Sequence, residues 1–391
     1  MKLLLCTFTS APQVNGVAEV VRAHATGLAR SGHEVTIATG FDENRNMVVA
    51  GSGNPRVEQF RVTGDARTGF RGEVERYREF VANWRGDVML FHCLQTWVTD
   101  TLLDGVLGKV TARKVMVSHG FIVHRYPLGC IFPFGLRTWL GWQPYVRRLA
   151  QNLTQFDHLV FLAPLANHGP YYDRLVATQT GLPNISEIPS GTDLGHFTQE
   201  QPDFRRKFGL TEPQMVLCVS EYSRLKNQKL ALSAFQRAAV PNSVLVFIGR
   251  AFNDYSAQLA QLVESAALRR QRQRVVLLAG LPRTEVMAAG RAADLSLCAS
   301  KWESGPLVVL EAMAARTAFV SSDVGFVSQL PGGRVVRGEA EMAEDIRDLL
   351  RNDSERERLA AAGRAACEQT YNWPMIIAQY ESLLRQLVGA V

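Results

Sequence analysis

The 391-residue sequence lacks any apolar run approaching the roughly 18 residues that a helix needs to cross a bilayer. The opening Met1–Cys6 has the look of a leader, but polar residues return within a few positions and no small-residue cleavage site follows. The expectation there is a first buried strand. The six cysteines (Cys6, Cys93, Cys130, Cys218, Cys298 and Cys367) form no CxxC pair, which argues against a zinc ribbon or a redox dithiol. Cys6, Cys218 and Cys298 sit in apolar runs, so buried reduced thiols and a cytoplasmic address are expected. Short-period repeats and low-complexity tracts are missing, which excludes a repeat array. No DxD-like cluster of carboxylates stands ready for a divalent cation, and Asp42-Glu43 reads as a solvated loop. Neither a metal nor another cofactor is expected.

One further absence is local. From Gly105 to Phe156 there is no acidic residue across 52 positions, although the whole chain carries a net charge of only +6. That stretch holds Lys109, Arg113, Lys114, Arg125, Arg137, Arg147 and Arg148 among Phe121, Tyr126, Phe132, Phe134, Trp139, Trp142 and Tyr145. Basic residues among aromatics fit nucleic acid, an anionic acceptor or the surface of an anionic membrane. They fit equally a helix whose aromatics are core. Trp139 and Trp142 are three apart and would share a helical face. A patch of Arg125, Tyr126 and Trp139 on the acceptor side is the expectation carried forward, with peripheral contact at the inner face of the membrane as its lipid version.

What is present describes an ordinary globular chain: 47% hydrophobic and 20% charged residues, with length enough for two domains of about 200 residues. Apolar runs at Lys2–Phe8, Glu34–Thr39, Arg56–Val62, Asp87–Phe91, Lys114–Ser118 and His158–Leu162 read as strands. Helical patterns at Val17–Ser31, Gly72–Trp84 and Leu136–Gln151 intervene. The alternation restarts with strands Gln214–Ser220, Ser243–Ile248, Val275–Ala279, Leu295–Ala299 and Ala318–Ser321. Helices are expected around Gln228–Ala239, Ala257–Leu268, Glu285–Ala292 and Val308–Ala315. Continuously apolar strands imply parallel sheets covered on both faces. The expected fold is therefore α/β, two Rossmann-like doubly wound domains facing a cleft. The boundaries are 1–200, 201–370 and a last helix, 371–391, crossing back to the first domain. Ligands of such sheets bind beyond the carboxyl ends of the strands, so the loops there should hold the function.

The richest loop is Ser300-Lys301-Trp302-Glu303-Ser304-Gly305-Pro306, which leaves a strand and enters the helical stretch Leu307-Val308-Val309-Leu310-Glu311. Gly305 lets the backbone approach a ligand, and the helix start offers free N–H groups to a diphosphate. Glu311 lies more than a turn inside the helix, and Glu303 stays in the loop. Two glutamates eight positions apart around a Gly-containing turn make the segment resemble the acidic loop of retaining glycosyltransferases of the GT-B fold, family 4 in particular. The resemblance covers nearly the whole chain. Val14-Asn15-Gly16-Val17 is similar to the family's glycine loop after the first strand, and Val117-Ser118-His119-Gly120 to its His-Gly pair. Ile188-Pro189-Ser190-Gly191-Thr192-Asp193 resembles the turn before the interdomain linker. Tyr371-Asn372-Trp373 resembles the start of the last helix.

The resemblance implies that Glu303 contacts the donor sugar, Glu311 the ribose and His119 the transferring sugar. Asn15, Gly16, Ser304, Gly305, Pro306, Leu307 and Val308 would approach the donor, and Lys226 would neutralise the leaving diphosphate. One position departs from the pattern. Where the family places an arginine after the first strand of the second domain, this chain has Glu221, whose charge would repel phosphate. Arg224 in the same loop and Arg250 after the next strand are the candidate replacements. The implied reaction is retaining transfer of a sugar from a UDP- or GDP-sugar to a glycan, a lipid-linked or a small-molecule acceptor, without metal and without nucleic acid. The alternatives are a nucleotide-sugar 2-epimerase of the same fold and a non-catalytic sugar-binding subunit.

Overall fold

A computed structural model describes residues 1–13, 15–45, 55–121, 135–163, 171–197, 202–264 and 272–389. The chain divides into two compact units, one formed by Met1–Pro189 with Ile376–Val391 and the other by Ser190–Met375.

The first unit is built on a parallel sheet of seven strands. They are β1 (Lys2–Cys6), β2 (Glu34–Gly40), β3 (Arg56–Phe60), β6 (Val88–His92), β7 (Arg113–Ser118), β8 (His158–Phe161) and β9 (Ile185–Glu187), in the order β3-β2-β1-β6-β7-β8-β9. The numbers omitted belong to a separate antiparallel hairpin, β4 (Val62–Asp65) with β5 (Gly69–Gly72). Leu3, Leu4 and Leu5 of β1 and all of β6 are buried, as strands covered on both faces must be. The second unit repeats the plan with β10 (Gln214–Val219), β11 (Ser243–Gly249), β12 (Gln273–Ala279), β13 (Leu295–Cys298), β14 (Ala318–Ser322) and β15 (Gly333–Val336). Their order is β12-β11-β10-β13-β14-β15. In both sheets the order reverses beside the first strand, and a doubly wound sheet places its ligands outside that switch point.

Four expectations needed correction. The run Arg56–Val62 is two strands, because the chain turns at Arg61 into the hairpin. The helix expected from Gly72 begins instead at Val74, and Gly72 ends β5 at φ +92°, where a Cβ would lie 2.0 Å from the carbonyl oxygen of Arg61. Only glycine fits that turn. The stretch Leu136–Gln151 is two helices, Gly135–Arg147 and Leu149–Leu153, separated at Arg148. No strand was expected at β9 or β15, whose sequences Ile-Ser-Glu and Gly-Arg-Val-Val hold no continuous apolar run. Cys6, Cys93, Cys218, Cys298 and Cys367 are buried free thiols. Burial pushes Cys6 and Cys218 up to about 12, so both are inert packing groups. No described helix is long and apolar enough to cross a membrane.

Candidate functional site

In the second unit the switch point lies between β10 and β13, and two loops leave it. The loop after β13 runs from Ala299 to Pro306, which occupies the N-cap position of the helix Leu307–Ala314 without a side-chain cap. Val309, Leu310, Ala312, Met313 and Ala314 are buried, so packing rather than capping holds this helix in place. The first amides of such a helix have no partner within it. The turn after β14 presses on the loop from the side: a Cβ on Gly325, at φ +56°, would sit 2.7 Å from the carbonyl oxygen of Ser304.

The loop after β10 is fixed by Gln228, the first residue of the helix Gln228–Ala238. Its amide nitrogen donates to Ser220 Oγ at 2.8 Å and to the Glu221 carbonyl at 2.8 Å. The Lys301 amide donates to the Leu225 carbonyl at 2.8 Å, so the two loops are joined. Their side chains meet as well. The Lys226 ammonium donates to Glu303, and Ser300 Oγ donates to the same carboxylate at 2.7 Å. Glu303 and Lys226 retain 15% and 25% of their side-chain exposure, enough shelter to strengthen the pair and enough access for a ligand. Glu221 and Arg224 are exposed, as is Arg250 beyond β11. Gly249 ahead of it leaves room for the Tyr222 ring, 2.4 Å from where a Cβ would stand.

Glu311, on the same helix as the free amides, is ion-paired to Arg283 at the start of the helix Arg283–Ala292. It also borders a cavity of about 20 Å³, lined with Leu217, Val219, Val308 and Thr317, room for one water. Ser300, Arg283 and Gln228 were not expected in the site. Arg283 reaches Glu311 across 28 positions, which local sequence cannot display, whereas Ser300 and Gln228 bond within their own loops, 3 to 8 positions away, and carry no motif of their own.

In the first unit Asn15 caps the helix Gly16–Arg30. Its Oδ1 accepts the Ala18 amide at 2.9 Å while its Nδ2 donates to Thr9 Oγ1 at 2.8 Å. Such a cap is worth about 1 kcal/mol and orients the helix start. His119 follows β7, half-buried, with its Nε2 3.0 Å from Nδ1 of buried His92. Burial holds His119 down at about 4 and His92 well below the ordinary range, so both rings are neutral at pH 7. Beside them Ser118 Oγ donates to Asp173 at 2.6 Å, and burial raises this carboxyl to about 6.

Arg125 and Tyr126 lie outside the described residues, and Trp139 is half-buried. Trp142 does not share an exposed face with it. Trp142 and Tyr145 are buried against each other, ring centroids 5.6 Å apart, and the Tyr145 hydroxyl donates to Asp100 at 2.7 Å. Arg147 and Arg148 are exposed. Two motifs expected separately come together: the Thr192 amide donates to the Tyr371 carbonyl at 2.8 Å and the Trp373 amide to the Thr192 carbonyl at 3.2 Å. A Cβ on Gly191 would lie 2.9 Å from the Trp373 amide nitrogen, which explains the glycine.

Residues 200–366, which contain Lys226, Glu303 and Glu311, match the model of the Glycosyl transferases group 1 family. The chain has the GT-B fold. This GT-B chain is similar over its full length to sucrose-phosphate synthase from Thermosynechococcus elongatus, with a TM-score of 0.76, 21% identity and 100% of each chain covered. Anabaena HepE in complex with UDP-glucose superposes with a TM-score of 0.71 at 16% identity, over 99% of this chain and 100% of that one. Among curated sequences, a GDP-mannose-dependent monoacylated alpha-(1-6)-phosphatidylinositol monomannoside mannosyltransferase of Corynebacterium glutamicum is 26% identical over 52% of this chain and 56% of its own. D-inositol 3-phosphate glycosyltransferase of Xylanimonas cellulosilytica is 30% identical over 49% of each. The GT-B chain thus spans about half the length of the curated relatives it matches.

Proposed function

We propose that the chain is a retaining, metal-independent glycosyltransferase that takes a hexose from a nucleoside-diphosphate sugar. The observation that carries this reading is the joining of Lys226, Ser300 and Glu303 at the β10–β13 switch point, beside a helix start whose fifth residue is Glu311. Bond breaking at the anomeric carbon puts positive charge on the sugar and negative charge on the β-phosphate. A cation and free amides stabilise the second while a carboxylate lies near the first. Lys226 with Arg224, and Arg250 beyond the next strand, supply the cations, and the helix amides at Leu307 and Val308 complete the phosphate site. Ser304, Gly305 and Pro306 shape the approach, and Glu311 receives the ribose hydroxyls. His119 contacts the transferring sugar, and Asn15 and Gly16 form the glycine loop of the first unit. The acceptor is a glycan or lipid-linked molecule. Exposed Arg147 and Arg148, with Leu140 exposed at 54%, support an anionic one or a peripheral membrane contact. HepE, solved with UDP-glucose, supports a UDP-sugar donor, and the GDP-mannose-dependent relative supports a GDP-sugar.

A panel of nucleotide sugars scored by thermal shift identifies the donor, since a ligand of the folded state raises the melting temperature. Release of nucleoside diphosphate is then followed with and without candidate acceptors, in excess chelator. Acceptor-dependent release that survives the chelator is the expected result. Release without acceptor and with the sugar returned epimerised would replace this reading by an epimerase, and binding without turnover would make the chain a sugar-binding subunit.

A further inference from the structure

Three histidines from three separate elements converge in the first unit. His24 lies midway along the helix Gly16–Arg30, His92 ends β6 and His119 follows β7. The His24 and His92 rings are 5.4 Å apart between centroids, and the Tyr380 ring lies 4.2 Å from that of His24. His92 is wholly buried. Its Nδ1 stands 3.0 Å from Nε2 of His119, and its own Nε2 has no hydrogen-bond partner.

A neutral imidazole carries one proton, so the His92–His119 contact admits two arrangements. If the His92 proton sat on Nε2, the ring would bury a donor with nothing to receive it, and His119 would donate from Nε2. If the proton sits on Nδ1, the one donor of His92 is used and only a lone pair is left unmatched. An orphaned buried N–H is the rarer of the two defects and costs its full desolvation. We propose that His92 is a positioning residue that donates its Nδ1 proton to His119 Nε2 and so fixes His119 as the tautomer protonated on Nδ1. His119 then meets the sugar as a hydrogen-bond donor from Nδ1, its Nε2 being occupied and unable to serve as a base. This rests on the sugar-contacting role given to His119 above, but the tautomer itself can be observed without any turnover.

The test is a nitrogen-15 long-range correlation spectrum of the full chain, labelled at its eight histidines and assigned with His92→Asn and His119→Gln variants. The expected result is a His119 ring with a protonated Nδ1 and a pyridine-like Nε2. A His119 ring protonated on Nε2 overturns the proposal, whatever the activity. His92→Phe should let both tautomers of His119 appear and lower kcat by about tenfold or more, with a smaller change in the donor KM. His92→Asn, whose amide nitrogen takes the place of Nδ1, should keep the wild-type tautomer and most of the rate. Equal loss in the Phe and Asn variants, with the His119 tautomer unchanged in both, also overturns it. The expected tautomer in a chain that transfers no sugar would defeat the proposed reaction and leave the positioning intact.

Discussion

The two sheets share a strand order around their switch points yet treat polar groups at their carboxyl ends in opposite ways. In the first unit the groups are buried, and burial disfavours their charged forms. His24 is held down at about 3 by burial and then by His119, and burial raises Asp100 to about 7. In the second, charge is matched with charge at half-sheltered positions, Lys226 with Glu303 and Arg283 with Glu311. One backbone plan can thus present either uncharged hydrogen-bonding groups, suited to hydroxyls, or paired ions, suited to a charged leaving group. The loops decide which.

The sharpest test of that contrast is to remove a charge from one end and a neutral ring from the other. Lys226→Ala should lower kcat by on the order of 10²- to 10³-fold, the usual cost of losing a group that stabilises developing charge. Lys226→Ala with Glu303→Ala together should cost far less than the product of the two single losses, because the pair works as one unit. His119→Gln should cost less than Lys226→Ala in kcat. A larger loss at His119 would reverse the assignment of charge work to the second unit.

The buried groups make a second prediction, in pH. His24 has a folded value near 3 against an ordinary 6.5, so the unfolded chain binds more protons between those values. Its contribution is complete above pH 6.5 and is lost on acidification. Asp100, near 7 against 3.8, has the opposite sign: its contribution is complete below pH 3.8 and is lost as pH rises through 7. Between about pH 4 and 6.5 the two oppose each other, each by at most about 1.4 kcal/mol per pH unit. Asp100→Asn should therefore make melting temperature fall more steeply from pH 6.5 to pH 4.5 than in the wild type, and His24→Gln less steeply. Parallel curves for all three proteins would show that burial does not shift these two groups in opposite directions.

The smallest effect is expected at Glu311. Glu311→Ala should weaken donor binding by about tenfold, roughly the 1.5 kcal/mol of a hydrogen bond to a charged acceptor, and leave kcat within a few-fold. Calorimetry with the donor found in the panel measures it.

Both halves of the comparison were unequally readable in the sequence. The charged site was largely legible, because Glu303 and Glu311 lie on one strand–loop–helix passage whose spacing is a local property, and Lys226 follows the end of another apolar strand. Their partners were not. Ser300 looked like one more loop residue, and Arg283 meets Glu311 only through the packing of two helices. The neutral site was less visible still. His119 stood at a strand end, but His24 and His92 are single polar residues inside a helix and a buried strand, where nothing local marks them. Among the elements, the long apolar strands were foreseen within a residue or two. The hairpin Val62–Gly72 and the helices Glu339–Arg351 and Asp353–Gln369 were not read out, the hairpin for its short polar strands. Trp142 was misjudged for a related reason: three-residue spacing says that two tryptophans share a face but not which way that face turns.

The division of the chain also has a consequence for synthesis. The second unit is contiguous, Ser190–Met375, whereas the first is completed only by the segment that begins at Ile376. Ile377 fills the space over Gly27, its side chain within 2.5 Å of where a Cβ there would stand, and Tyr380 closes over His24. During translation these contacts are missing until every residue of the second unit has left the ribosome. The later-made sheet can therefore close first, while the earlier one waits with the apolar surface of its first helix uncovered, the stage at which a chaperone or an aggregation partner would find it.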